Sequence, residues 1–128
     1  MKKQLLIDSD VLIDYLRGRE EAIRFLEQNN NFMCISVITV AELYAGVRDG
    51  KERAVLDNFI DYFNVLPINL DIAWKGGLFR RDYFKSHGVG LADALIAATA
   101  LLADATLVTL NRKHFPMVRN LMVPYKKF

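Results

Sequence analysis

The hydrophobic positions of this chain fall into short unbroken runs separated by stretches with helical spacing. Leu5 to Ile7 is an apolar run of strand length, and Val11 to Leu16 behind it has helical spacing that stops at Arg17-Gly18. A second helix is expected over Glu20 to Gln28. The polar triplet Asn29-Asn30-Asn31 ends it, and Phe32 to Val37 returns to a strand-like run. Helical spacing resumes from Thr39 through Val47, halts at Asp49-Gly50, and continues from Lys51 to Tyr62. Val65-Leu66-Pro67-Ile68 suits a strand at a sheet edge, because proline cannot donate to a central ladder. Asp71 to Lys85 is a long helical pattern weakened by Gly76-Gly77, and Ser86 to Gly90 is a loop. Leu91 to Ala103 is an alanine-rich helix with so few polar positions that it must be buried on more than one side. Thr106 to Leu110 is a strand, Asn111 to His114 a turn or short helix, and Leu121 to Val123 a last short strand.

Strands that are apolar throughout, separated by helices, belong to a parallel sheet covered on both faces. The expected fold is therefore α/β, in three layers, with a parallel sheet of about five strands between helices. In such sheets ligands gather at the carboxyl ends of the strands, which singles out Asp8 after the first strand and Asn111 after the Thr106 run.

Length and composition fit one domain over residues 1–128: no repeat or Gly/Pro-rich linker divides the chain, and 52% of its residues are apolar. A chain of this size buries roughly two-thirds of its unfolded surface, so it needs no disulfide framework. Its one cysteine, Cys34, lies in an apolar run and is expected to be a buried small hydrophobe. The apolar run after Met1-Lys2-Lys3 is too short for a signal peptide or a membrane span, so a cytoplasmic location is expected. A net charge of +2 does not by itself announce a nucleic-acid binder. Arg80-Arg81, Lys85 and Lys126-Lys127 are local basic patches, each of which suits a solvated face. Leu56, Phe59, Tyr62 and Phe63 are expected in the core rather than at an interface.

The acids carry the chemistry. Asp8 sits where a strand has ended and its helix has not begun. Asp10 suits either an N-cap or a site residue, and Asp14 suits a solvated helix position. Glu42 forms Thr39-x-x-Glu42, the spacing of a capping box, and Asp93 opens a nearly apolar helix, where the helix dipole alone would favour an acid. Each bland explanation is reasonable singly, but all of them would have to coincide at one end of one sheet. Carboxylates brought close together share a proton or hold a cation. Magnesium suits them, since it takes hard oxygen ligands, keeps waters and needs few carboxylates beside a substrate phosphate. A magnesium ion there could activate a water for in-line attack on phosphorus. His87 and His114 lack zinc-ligand spacing.

Four segments together resemble the successive motifs of PIN-domain nucleases. They are Leu6-Ile7-Asp8-Ser9-Asp10-Val11, Ser36-x-x-Thr39-x-x-Glu42-Leu43-x-x-Gly46, Asp93-x-x-Ile96-Ala97-Ala98 and Leu107-Val108-Thr109-x-Asn111-x-x-His114-Phe115. Their order and spacing are most similar to the VapC toxins of type II toxin–antitoxin pairs. The resemblance implies a magnesium-dependent endoribonuclease, with manganese as a possible substitute, that dimerises and is held inactive by a cognate antitoxin. It places catalytic acids at Asp8, Glu42 and Asp93, metal ligands at Asp8 and Asp93, and supporting groups at Ser9, Thr109 and Asn111. Asn111 stands where many members carry a fourth acid and His114 where some carry another, which favours one metal ion over two.

Two other classes fit part of the sequence. Asp8-Ser9-Asp10 also resembles the Asp-x-Asp signature of haloacid-dehalogenase-type phosphatases, in which Asp8 would be a nucleophile. A non-enzymatic RNA- or protein-binding module would use the acids for folding or docking only.

Overall fold

The computed structural model describes residues 3–126, so Lys127 of the basic tail and the first two residues of the amino-terminal segment lie outside the described residues. Five strands, β1 (Leu5–Ile7), β2 (Met33–Ser36), β3 (Asn64–Leu66), β4 (Thr106–Val108) and β5 (Leu121–Met122), form one sheet in the order β3-β2-β1-β4-β5. All four pairings are parallel, with Leu5, Leu6 and Ile7 opposite Thr106, Leu107 and Val108. β3 lies at the edge, as its following proline requires.

Among the described residues six helices cover the sheet: α1 (Ser9–Leu16), α2 (Glu20–Gln28), α3 (Val37–Ala45), α4 (Lys51–Ile60), α5 (Leu70–His87) and α6 (Leu91–Leu102). Successive strand side chains point to opposite faces, and the core divides accordingly. Leu5, Ile7, Ile35 and Val108 pack with Val11, Leu12, Leu26, Leu43, Leu56 and Phe59 on the side of α1, α2 and α4. Leu6, Cys34 and Leu107 pack with Ile96, Ala97, Ala100 and Phe115 on the side of α6. Cys34 is fully buried, and its thiol is pushed up to about 11 by that burial. Leu56, Phe59 and Phe63 join the core, but Tyr62 is 81% exposed, so its expected core position is corrected.

Gly76-Gly77 does not weaken α5. A Cβ at Gly76 would come within 2.6 Å of the Leu95 side chain, so the glycine is what lets α5 lie against α6. α5 ends on Gly88, whose φ of +65° closes the helix through an amide bond to the Phe84 carbonyl. No helix among the described residues is long and apolar enough to cross a membrane.

The chain runs outward from β1 to β3 on one side of the sheet, then returns to build β4 and β5 on the other. The reversal falls between β1 and β4, which is where open α/β sheets leave a crevice at their carboxyl ends.

Candidate active site

Asp8 and Thr109 are the first residues beyond β1 and β4, on either side of that crevice. Strand pairing continues past both of them: the Asp8 amide donates to the Val108 carbonyl at 2.9 Å and the Thr109 amide to the Met122 carbonyl at 3.1 Å. Asp8 is only 6% exposed. It caps α1, taking the Ser9 amide at 2.8 Å on Oδ1, and the Thr109 hydroxyl donates to its Oδ2 at 2.8 Å.

Asp10 faces the same crevice from the first turn of α1. Its Oδ1 takes the Val11 amide at 2.7 Å and its Oδ2 the Leu110 amide at 3.0 Å, so the residue ties α1 to the segment after β4. Asp10 is not the N-cap, which is Asp8. Like Asp8 it accepts hydrogen bonds on both oxygens and keeps lone-pair capacity beyond them, so it stands beside Asp8 as a further acid of the crevice.

α3 begins at Val37, capped by the Ser36 hydroxyl, which accepts the Ile38 amide at 3.0 Å. Glu42 is therefore in mid-helix and no capping box forms with Thr39. Glu42 stands on the exposed rim of the crevice. Glu42 also lines a cleft of about 600 Å³ between α1, α3 and α4, and the Ser9 hydroxyl works against the rise in its pKa. Asp93 lies in the first turn of α6, whose N-cap is Gly90, with no side-chain cap bond. Asp93 makes no cap bond, but its place in the first turn keeps the helix-dipole explanation standing beside the functional one.

These acids feel one another. Asp8 is pushed up to about 7, first by burial and then by the Asp10 charge, with Asp93 adding to the rise and the bonds from Thr109 and Ser9 opposing it. Glu42 is raised by partial burial of its carboxylate and then by Asp93. Asp93 is raised by burial and held back by His114. Asp10 is raised by burial against the bonds from Leu110, Val11 and Thr109. Burial is the first cause of the rise in all four, and neighbouring acids add to it at Asp8 and Glu42; buried carboxyls of this kind stay anionic at lower cost when a cation joins them.

The sequence does not foretell the part His114 takes. It follows β4 in a 3-10 turn, Arg112–His114, that brings its Nδ1 to 3.2 Å from Asp93 Oδ2 and 2.9 Å from the Asn111 side-chain nitrogen. When Nδ1 carries a proton it donates to Asp93; when it does not, it accepts from Asn111. The three-residue spacing of Asn111 and His114 is the only sequence trace of this contact. Asn111 is exposed, and its backbone amide donates to Thr109 Oγ1 at 3.1 Å.

A divalent cation suits this donor set, which is hard oxygen throughout and rich in negative charge. Among the described residues no three His, Cys, Asp or Glu side chains converge tightly enough to enclose an ion by themselves. Magnesium itself needs only one or two carboxylates, with water and substrate oxygens for the rest.

The chain matches the PIN domain family over residues 5–120. It is 42% identical over 124 residues to ribonuclease VapC10 of Mycobacterium tuberculosis, covering 94% of this chain and 92% of the relative. It is 40% identical to ribonuclease VapC19 of the same organism, covering 94% of this chain and 98% of the relative. Among solved structures it is similar to a toxin–antitoxin complex from Klebsiella pneumoniae, with a TM-score of 0.83 and 31% identity over 97% of this chain and 99% of that one.

Proposed function

The chain belongs to the PIN-domain family, in its VapC branch, and from that premise we propose that it is a magnesium-dependent endoribonuclease, with manganese as a substitute ion. The observation that carries the proposal is that Asp8 and Glu42, from distant segments, both feel the charge of Asp93 at the sheet's switch point. The whole chain, residues 1–128, acts as one nuclease domain in the cytoplasm.

Asp8 and Asp93 are the ligands in this reading. Thr109 and the Ser9 amide fix the Asp8 carboxylate, and His114 fixes Asp93. When bound, the ion would supply Lewis-acid activation of the attacking water and neutralise charge gathering on the phosphoryl and leaving oxygens. Glu42, on the solvent-facing rim with Ser9, orients that water and receives its proton. Asn111 assists by hydrogen bonding from beyond Thr109. It brings no charge, in keeping with one ion.

The biological role we propose is that of a toxin restrained by an antitoxin, as the name of the Klebsiella complex suggests for its own chain. A basic antitoxin segment suits the site, since Arg or Lys can pair with the acids in place of the ion. Homodimerisation is part of the same proposal. A phosphatase using Asp8 as nucleophile is not favoured, because the chain matches the PIN domain family over residues 5–120.

The test is cleavage of RNA by the purified chain with and without magnesium, beside Asp8→Ala and Asp93→Ala. Both variants are expected to keep a folded circular-dichroism spectrum and lose cleavage. Variants that cut as fast as the parent would overturn the acidic site. Expression alone is expected to arrest growth and co-expression of the antitoxin to restore it.

A further inference from the structure

An acidic crevice repels the polyanion it is meant to cut, so the attraction for RNA has to come from its flanks. The packing of α5 on α6 builds one such flank. The two helices form a hairpin across the three-residue loop from Gly88 to Gly90, and they touch most closely where Gly76 meets Leu95. α6 begins four residues before Leu95, which places Leu91 level with Arg80. The last seven residues of α5, from Arg81 to His87, therefore run on past the start of α6 by roughly 10 Å at 1.5 Å per residue. That overhang stands at the end of α6 that carries Asp93, beside the acids.

The overhang has the composition of a nucleic-acid platform. Arg81, Phe84, Lys85 and His87 are all exposed. The Arg80 guanidinium lies 3.6 Å over the Phe84 ring, and Phe84 remains 47% exposed. An open ring backed by a guanidinium is a stacking surface for an unpaired base, with Arg81 and Lys85 beside it for phosphates. Arg81 is held in place by Asp82 at 2.8 Å. Arg112 and Lys113 are exposed on the 3-10 turn whose His114 meets Asp93, and they form a second basic ridge.

Resting on the nuclease reading, we infer that the overhang of α5 binds a single-stranded segment of the RNA substrate, stacking one base on Phe84 and holding phosphates with Arg81 and Lys85. A strand laid from this platform toward Arg112 and Lys113 is led to Asp93, which the same turn touches through His114. The chain thereby selects RNA with an unpaired stretch next to the cut.

Binding is measured by fluorescence anisotropy of a labelled single-stranded RNA, with chelator present so that nothing is cut, over a series of salt concentrations. The paired substitution Arg81→Glu/Lys85→Glu, and the milder Arg81→Gln/Lys85→Gln, are expected to weaken binding at least about tenfold. They should also flatten the slope of log K against log salt by roughly 1.4, at about 0.7 per phosphate contact. Phe84→Ala is expected to cost about tenfold on the single strand and far less on a duplex of the same length, whose bases are already stacked.

Unchanged affinity and slope would overturn the assignment, as would an equal loss on single strand and duplex. A fall in mass by light scattering in the charge variants would also overturn it, by making the overhang a contact between copies of this chain. If the parent binds RNA through these residues but cuts none on adding magnesium, the nuclease reading fails and the platform stands. If the parent cuts and the variants bind as it does, only the platform fails.

Discussion

Two carboxylates six residues apart, Asp8 and Asp14, are buried to nearly the same depth, at 6% and 3% exposure. Their company differs. Asp14 takes the Tyr125 hydroxyl at 2.8 Å and faces the Arg19 guanidinium at 3.9 Å, while that guanidinium also lies 5.6 Å from the centre of the Tyr125 ring. Burial and the Asp14 charge push the Tyr125 phenol upward and so keep it a donor. Asp8 has a hydroxyl, an amide and other acids around it. A buried acid given a cation and a phenol by its own chain is part of the architecture. One placed among other acids leaves a charge for something outside the chain to balance.

The largest effect expected from this difference is on cleavage. Asp8→Asn should lower the rate by roughly a thousandfold, the several kcal/mol of charge stabilisation expected from a bound ion. Asp14→Asn should leave the folded enzyme cutting at close to the parental rate. Equal losses in single-turnover assays would erase the distinction.

Next in size is the pH dependence of stability without metal. In the folded chain Asp8 titrates at about 7, above its ordinary value of 3.8, so between these limits the folded state binds more protons than the unfolded one. Stability should accordingly fall as pH rises from about 4 to about 7, by at most roughly 4 kcal/mol. Urea unfolding in chelator across that range checks it. Asp8→Asn should flatten the slope, and added magnesium should restore stability near neutrality by mass action.

The smallest effects belong to the other end of the helix. Asp14→Ala should cost about 3 kcal/mol, below the upper range for a buried pair because the Arg19 side chain is 28% exposed. Tyr125→Phe should cost roughly 1.5 kcal/mol, a hydrogen bond to a charged group. Thermal unfolding of both variants, compared with their cleavage rates, would separate a structural cluster from a working one.

Much of this was legible in the sequence because it rests on local pattern. Unbroken apolar runs fix the strands to within two residues, and the position of Asp8 at a strand end follows from that alone. The errors arise where a tertiary partner decides. Asp14 has the helical spacing of a solvated residue, and only the return of the chain's end brings Tyr125 over it. Thr39 and Glu42 have capping-box spacing, but Ser36 starts the helix earlier, at the end of β2. Gly76 has the composition of a helix breaker until Leu95 is placed against it. The contact of His114 with Asp93 crosses from a turn to a helix start and leaves no periodic trace.

The bond from Thr109 to Asp8 spans 101 positions. Synthesis delivers β1, α1 and α3 first, but the crevice has no second wall until β4 has emerged and docked beside β1. For most of its own translation, at roughly 5–20 residues per second, the nascent chain therefore has only one wall of the crevice. The completed crevice arrives late and all at once, with the docking of a single strand.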